Sequence, residues 1–275
     1  MNLREKLVKE KKQKKRWVMV TAYDAPTAEL LESAGIDMIL VGDSLGMVLL
    51  GYPSTKLVTM DEMIHHTKAV RRGAPKSFVI GDLPLKSIEK GPKQALVSAR
   101  RFIEEAGANA VKLEWGRDAQ KISDLFFKKN IPMMGHVGLT PQTARRNVVQ
   151  GSDAVNALKI YESARCFENK GAFSVVLECV PILLGQMITK SLLIPTIGIG
   201  AGPSCDGQVL VFQDLVGIFT KFKPRFVKRY ANLDRLMRQA VESYKKDVLS
   251  GKFPDNKHGF SMKKETFNLF LRSLK

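Results

Sequence analysis

Cysteine is scarce in this chain: three among 275 residues, Cys166, Cys179 and Cys205. An odd count makes a poor disulfide framework and their spacing matches no metal-ligand pattern, so a disulfide-stapled or zinc-clamped scaffold is excluded. Buried packing is the role expected for all three. Long apolar runs are also missing. No stretch approaches the ~20 apolar residues that cross a bilayer, and the opening Met1-Asn-Leu-Arg-Glu-Lys lacks the apolar core of a secretory signal. The expectation is a soluble, cytoplasmic chain with no membrane partner. No Pro-, Gly- or Ser-rich linker and no low-complexity block divides it. Acidic residues are few beside basic ones, 27 against 44, which leaves a formal charge of +17.

Part of that charge is local. Residues 1–16 hold eight Lys or Arg against two Glu, a net of +6 (8 − 2), and a second cluster runs Lys221-Phe-Lys-Pro-Arg-Phe-Val-Lys-Arg229. Such charge raises non-specific affinity for polyanions. Neither cluster shows an aromatic stacking platform or a recognisable nucleic-acid module, so a solvated basic surface and no nucleic-acid partner are expected. What is present is ordinary for a globular protein: 44% hydrophobic and 26% charged residues.

Apolar, β-branched runs alternate with helical patterns, which favours βαβ units. Eight strands are expected, over residues 18–22, 38–43, 78–82, 110–114, 131–135, 174–178, 196–200 and 209–211. Asp24 with Pro26 reads as a helix start, and Thr59-Met-Asp-Glu62 as a capping box. Eight units in a chain of this length predict an α/β fold, a single (β/α)8 TIM barrel with N- and C-terminal helical additions. These additions are a basic helix within residues 1–16 and a helical segment over 230–275. In the latter, residues 262–274 form a basic amphipathic tail for a surface or subunit contact.

The chemistry starts at Asn109-Ala-Val-Lys-Leu-Glu114, where a cation and a carboxylate lie two positions apart in an otherwise buried strand. Strand side chains alternate, so Lys112 and Glu114 share a face. Buried charges need partners or a metal to offset their desolvation. Three more apolar runs end in acids, at Asp43, Asp82 and Glu178, and a barrel would bring all four to the C-terminal mouth where such folds place their chemistry. Ser44 and His136 lie beside them. Oxygen ligands without Cys or paired His favour a hard cation such as Mg²⁺. Plainer readings stand beside this one. Asp43 or Asp82 caps the following helix; Lys112 and Glu114 form a structural ion pair; Glu178 is a surface acid; His136 only packs; the glycines of 198–202 only turn the chain.

Several segments together resemble the ketopantoate hydroxymethyltransferase family. They are Thr21-Ala-Tyr-Asp24, Val41-Gly-Asp-Ser-Leu-Gly-Met47, Ala69-Val-Arg-Arg-Gly-Ala-Pro75, Gly81-Asp-Leu-Pro84, Val111-Lys-Leu-Glu114, Gly135-His-Val-Gly-Leu-Thr-Pro-Gln142, Leu177-Glu-Cys-Val-Pro181, and Ile197-Gly-Ile-Gly-Ala-Gly202 with Asp206-Gly-Gln208. The resemblance implies a barrel transferase that carries a hydroxymethyl unit from 5,10-methylenetetrahydrofolate to 3-methyl-2-oxobutanoate in pantothenate and coenzyme A biosynthesis. It implies Mg²⁺ on Asp43, Asp82 and Glu114, the last directly or through water. It further implies a keto-acid site of Asp43, Ser44, Asp82 and Lys112 with His136 in the same pocket, Glu178 as the proton acceptor, and a homodecamer.

Departures from the family pattern accompany it. Residues 144–151, Ala-Arg-Arg-Asn-Val-Val-Gln-Gly, form a shortened loop without the usual glycine pair, Trp115 stands where a glycine commonly follows the acid, and Lys56-Leu57 replaces Leu-Pro. The alternatives are another Mg²⁺-dependent barrel acting on 2-oxo acids, of the carbon–carbon lyase or phosphoenolpyruvate mutase type, and a non-catalytic basic nucleic-acid-binding paralogue. The Lys-Arg-Cys-Gly-His loop common in the former is absent, and the presence of every pocket acid argues against the latter.

Overall fold

The computed structural model describes residues 2–143 and 148–274. Eight parallel strands close a barrel in chain order: β1 Trp17–Thr21, β2 Met38–Val41, β3 Phe78–Asp82, β4 Ala110–Glu114, β5 Met133–Gly138, β6 Ser174–Glu178, β7 Thr196–Ile199 and β8 Gly207–Leu210. β8 returns to pair with β1. Around them run α1 Leu3–Lys12, α2 Ala25–Ser33, α3 Leu45–Val48, α4 Met60–Gly73, α5 Leu85–Ile88, α6 Pro92–Arg100, α7 Ala119–Lys128, α8 Ala154–Asn169, α9 Ile182–Ser191, α10 Phe212–Leu215, α11 Leu233–Leu249 and α12 Lys264–Ser273.

The strand period of two sorts the core into two layers. Outward residues such as Ile39, Val79, Val111, Leu113 and Val175 pack on the helices with Phe102, Phe126 and Phe167. Inward residues such as Met19, Leu40, Ile80, Ala110, Met134 and Val176 fill the barrel's interior. Ala110 thereby sets the direction of Lys112 and Glu114, which share its side of β4. The helices press close: a Cβ at Gly81 would lie 2.3 Å from the Phe102 ring, so only glycine fits there.

Strand ends differ from expectation for local reasons. β2 stops at Val41 because the Asp43 N–H leaves the ladder and donates to Asp82 Oδ2 at 3.3 Å. β5 lies at 133–138, not 131–135, since Pro132 has no N–H to donate; His136 is therefore inside the strand, opposite Glu114. β8 starts at Gly207, two residues early, where the backbone pairs with Trp17. The expected caps are present: Thr27 N–H donates to Asp24 Oδ1 at 2.8 Å, and Thr59 and Glu62 complete a capping box.

The basic N-terminal segment is only partly the solvated surface expected. Leu7 of α1 joins the barrel's inner core, and Lys11 Nζ donates to the carbonyls of Thr189 and Ile194 at 2.9 Å while pairing with Asp206. Helix α1 thus closes the N-terminal end of the barrel. By contrast, α11 and α12 bury none of their side chains. Among the described residues no helix is long and apolar enough to cross a membrane.

Candidate active site

All seven residues singled out in the sequence, Asp43, Ser44, Asp82, Lys112, Glu114, His136 and Glu178, line one cavity of about 370 Å³ at the C-terminal ends of the strands. Asp82, Lys112, Glu114, His136 and Glu178 stand on strands β3 to β6, and Asp43 and Ser44 on the turn after β2. Neither Asp43 nor Asp82 caps a helix: the residues at the starts of α3 and α5 are Ser44 and Pro84, without a side-chain cap bond. Nor does Lys112 pair with Glu114. Its Nζ sits 2.6 Å from Asp82 Oδ1 and 3.4 Å from His136 Nδ1.

An ammonium can only donate, so we assign His136 Nδ1 as the acceptor and place the ring proton on Nε2. That nitrogen faces Glu178 Oε2 at 3.1 Å, while Nδ1 lies 3.6 Å from Glu114 Oε2. Glu178 is the most accessible of the four acids, its side chain 19% exposed against 3% for Glu114 and 2% for Asp82. It is not buried structure, nor a surface acid turned away from the cavity.

Too many carboxyls share too little water. Burial, then the neighbouring Asp82, pushes the Asp43 carboxyl up to about 7, against the pull of Lys112 and Gln142. Glu114 is pushed up to about 9, first by burial and then by Asp43, Asp82 and Glu178, with Lys112 opposing. Burial works against the charge on Lys112, yet Asp82, Asp43 and Glu114 together hold its pKa above the ordinary lysine value. The floor of the cavity carries an excess of acid over the one ammonium. Among the described residues no three His, Cys, Asp or Glu side chains form a ready-made cation cage.

Sequence reasoning missed several contributors. Gln142 ties two acids together: its Nε2 donates to Asp43 Oδ2 at 2.9 Å and its backbone N–H to Glu114 Oε1 at 3.2 Å. It lies within a stretch quoted for the family resemblance, but a neutral amide carries no acid–base signal. Tyr23, fully buried, shares a 2.8 Å hydrogen bond with Ser44 Oγ, and burial holds its phenol well above the usual range, hence protonated. Gly138, at φ +99, lets the loop after β5 press on β6: Leu139 N–H donates to the Glu178 carbonyl at 2.8 Å. Cys179 follows Glu178 at φ +48, and all three cysteines are free. Trp115 turns away from the cavity to meet the Phe167 ring edge-on at 5.3 Å. Gly200 and Gly202 both take positive φ, which suits tight turning after β7. Of the unusual loop, residues 144–147 lie outside the described residues, while Val148 and Val149 line the cavity.

The model of the ketopantoate hydroxymethyltransferase family matches residues 3–256. A 3-methyl-2-oxobutanoate hydroxymethyltransferase of Syntrophus aciditrophicus is 51% identical over 253 residues, covering 91% of this chain and 93% of that protein. One of Moorella thermoacetica is 52% identical, with 91% and 94% covered. Solved structures of similar fold include a phosphonopyruvate hydrolase complex with oxalate and Mg²⁺, at a TM-score of 0.61 and 13% identity over 100% of this chain and 96% of that one. A 2,3-dimethylmalate lyase of the PEP mutase/isocitrate lyase superfamily gives 0.59 at 13% identity, covering both chains fully. At such low identity this second likeness speaks for the fold alone. Half of the sequence held in common over nine-tenths of both lengths is a different matter, and this chain is an enzyme of the ketopantoate hydroxymethyltransferase family.

Proposed function

We propose that this chain, as a single barrel domain in a cytoplasmic homo-oligomer, transfers a hydroxymethyl unit from 5,10-methylenetetrahydrofolate to 3-methyl-2-oxobutanoate. The product is 2-dehydropantoate, for pantothenate biosynthesis. The observation that carries the reading is the convergence of Asp43, Asp82, Glu114 and Glu178 with Lys112 and His136 on a single cavity, Glu178 being the most open of these four acids.

The donor set fits a hard divalent cation. Asp43, Asp82 and Glu114 offer only carboxylate oxygens, and burial, with the neighbouring acids adding to it, raises Asp43 and Glu114 as described. Mg²⁺ keeps several waters and takes one or two carboxylates plus substrate oxygens, so a closed protein cage is not required. Asp43, Asp82 and Glu114 would hold such a cation, which would supply charge stabilisation to a 2-oxo acid as its C3 proton is lost.

The chain's own groups perform the remaining steps. Lys112 spends one N–H on Asp82 and one on His136, which leaves a third for the keto acid's carboxylate. Ser44, oriented by Tyr23, donates to the same anion. Glu178 accepts the C3 proton as general base, with His136 Nε2 lying 3.1 Å from its Oε2. Leu139, Val148 and Val149 screen the enolate from water. The enolate carbon then bonds to the methylene carbon as that carbon's bond to one folate nitrogen breaks; water replaces the second nitrogen, leaving its hydroxyl on the new carbon, and tetrahydrofolate departs with both nitrogens protonated, one by the proton taken from C3 and one by the proton from water.

Two amphipathic helices support the oligomer. Leu236, Met237, Val241 and Tyr244 of α11 and Phe267, Leu269 and Phe270 of α12 are all exposed, more apolar surface than a lone chain usually leaves to water. Incubation of the chain with Mg²⁺, the keto acid and methylenetetrahydrofolate tests the activity. Equal yields of 2-dehydropantoate and tetrahydrofolate are expected, and absence of product with a folded chain would remove the reading.

A further inference from the structure

The basic cluster at 221–229 has no part in the chemistry above, yet it hangs over the same cavity. Between Asp214 and Asp234 the chain has no acidic residue and five cations. Two are engaged: Arg229 Nη2 donates to the Phe219 carbonyl at 2.8 Å, and Lys228 sits 4.8 Å over the Tyr230 ring. Lys221, Lys223 and Arg225 are exposed and, among the described residues, without a hydrogen bond or ion pair. Arg225 lines the cavity together with Phe222, Pro224 and Phe226. No stacking platform was legible in the cluster's sequence, but the fold turns Phe222, 59% exposed, onto the cavity wall with Val148 and Val149, 53% and 56% exposed.

The cavity is therefore graded: acids and one ammonium at the floor, an exposed apolar girdle above, free cations at the edge. The keto acid occupies the floor only. A ligand that suits the rest has a flat aromatic body and an anionic tail that reaches outward, since unpaired Lys and Arg attract carboxylates without having to give up existing partners. We propose that Phe222, Lys221, Lys223 and Arg225 form a rim site for the folate cosubstrate, the ring of Phe222 against its aromatic body and the three cations on its γ-linked glutamyl carboxylates. This rests on the folate reading above and adds to it a preference for polyglutamylated forms.

The test compares mono- and triglutamyl 5,10-methylenetetrahydrofolate as substrates of the full chain. It also measures equilibrium binding of triglutamyl tetrahydrofolate by fluorescence. The unsubstituted chain should favour the triglutamate, and the preference should shrink as salt is added. In K221Q/K223Q/R225Q the KM and Kd of the triglutamate should rise about tenfold with the monoglutamate much less affected, while Mg²⁺-dependent proton exchange of the keto acid stays as before. Phe222→Ala should raise both KM values alike. Equal KM values in the unsubstituted chain, a preference that survives the triple substitution, or proton exchange lost with it would overturn the rim site and leave the transferase reading standing. A chain that exchanges the proton but accepts no one-carbon unit from either folate would instead remove the cosubstrate reading, and the rim site with it.

Discussion

Asp43, Asp82, Glu114 and Glu178 place four carboxyls around a single ammonium, Lys112, and the imbalance has measurable consequences. Asp43 and Glu114 have native pKa values raised above their ordinary values near 4. Groups of that kind stabilise the fold fully below the ordinary value, and the contribution is lost as pH rises through about 7 and about 9. Asp43→Asn removes one such group. Without Mg²⁺ its melting temperature should therefore gain on the unsubstituted chain as pH rises from about 4 to about 7, and with saturating Mg²⁺ it should fall behind, because the cation would then stabilise only the intact carboxylate. A difference that is flat in pH and indifferent to Mg²⁺ would contradict the account. Gln142→Ala removes the Nε2 donor to Asp43 while keeping the backbone N–H that Glu114 accepts, and should weaken Mg²⁺-dependent keto-acid binding by roughly tenfold, as removal of outer-shell partners does; titration calorimetry reads it directly. The acids were legible in the sequence because a charge inside an apolar strand stands out against its desolvation. Gln142 was not, since it gains its meaning only from a contact 99 positions away.

Strand β5 and the loop that leaves it set the height of Glu178. At Gly138, φ is +99 and a Cβ would come within 2.2 Å of the Glu178 carbonyl oxygen. Gly138→Ala should cost about 1–3 kcal/mol in denaturant unfolding and slow proton exchange as the end of β6 shifts; native stability with native exchange would show that the loop exerts no such hold. The alternation of strands and helices, and with it the barrel, could be read because apolar, β-branched runs are separated by helical patterns, and helices such as α2 and α4 carry their own caps. The ends were less legible. Pro132 and the paired backbone at Gly207 decide where β5 and β8 begin, and Gly207-Gln208 reads as a loop by composition while its backbone completes the barrel. The inward turn of α1, with Leu7 in the core and Lys11 on buried carbonyls, was likewise hidden beneath its positive charge.

At the scale of the whole molecule, the barrel closes on itself while α11 and α12 carry an apolar stripe that the chain does not cover. A chain ending at Asn232 should keep the barrel's circular dichroism, less the two helices, and sediment as a smaller assembly than the full chain; an unchanged assembled mass would separate these helices from subunit contact. The oligomer was not legible in the residues because self-association depends on what an amphipathic helix meets, and that lies outside the chain's own pattern. The central claim is that groups drawn from five separate strand ends act as one device for removing a proton beside a ketone. Proton NMR of 3-methyl-2-oxobutanoate in deuterium oxide measures this without any folate. The account predicts that the chain replaces the C3 proton by deuterium only when Mg²⁺ is present, and that Glu178→Gln lowers the rate on the order of 10²-fold or more while the keto acid still binds. Exchange that proceeds equally without Mg²⁺, or that survives loss of the Glu178 carboxylate, would contradict it.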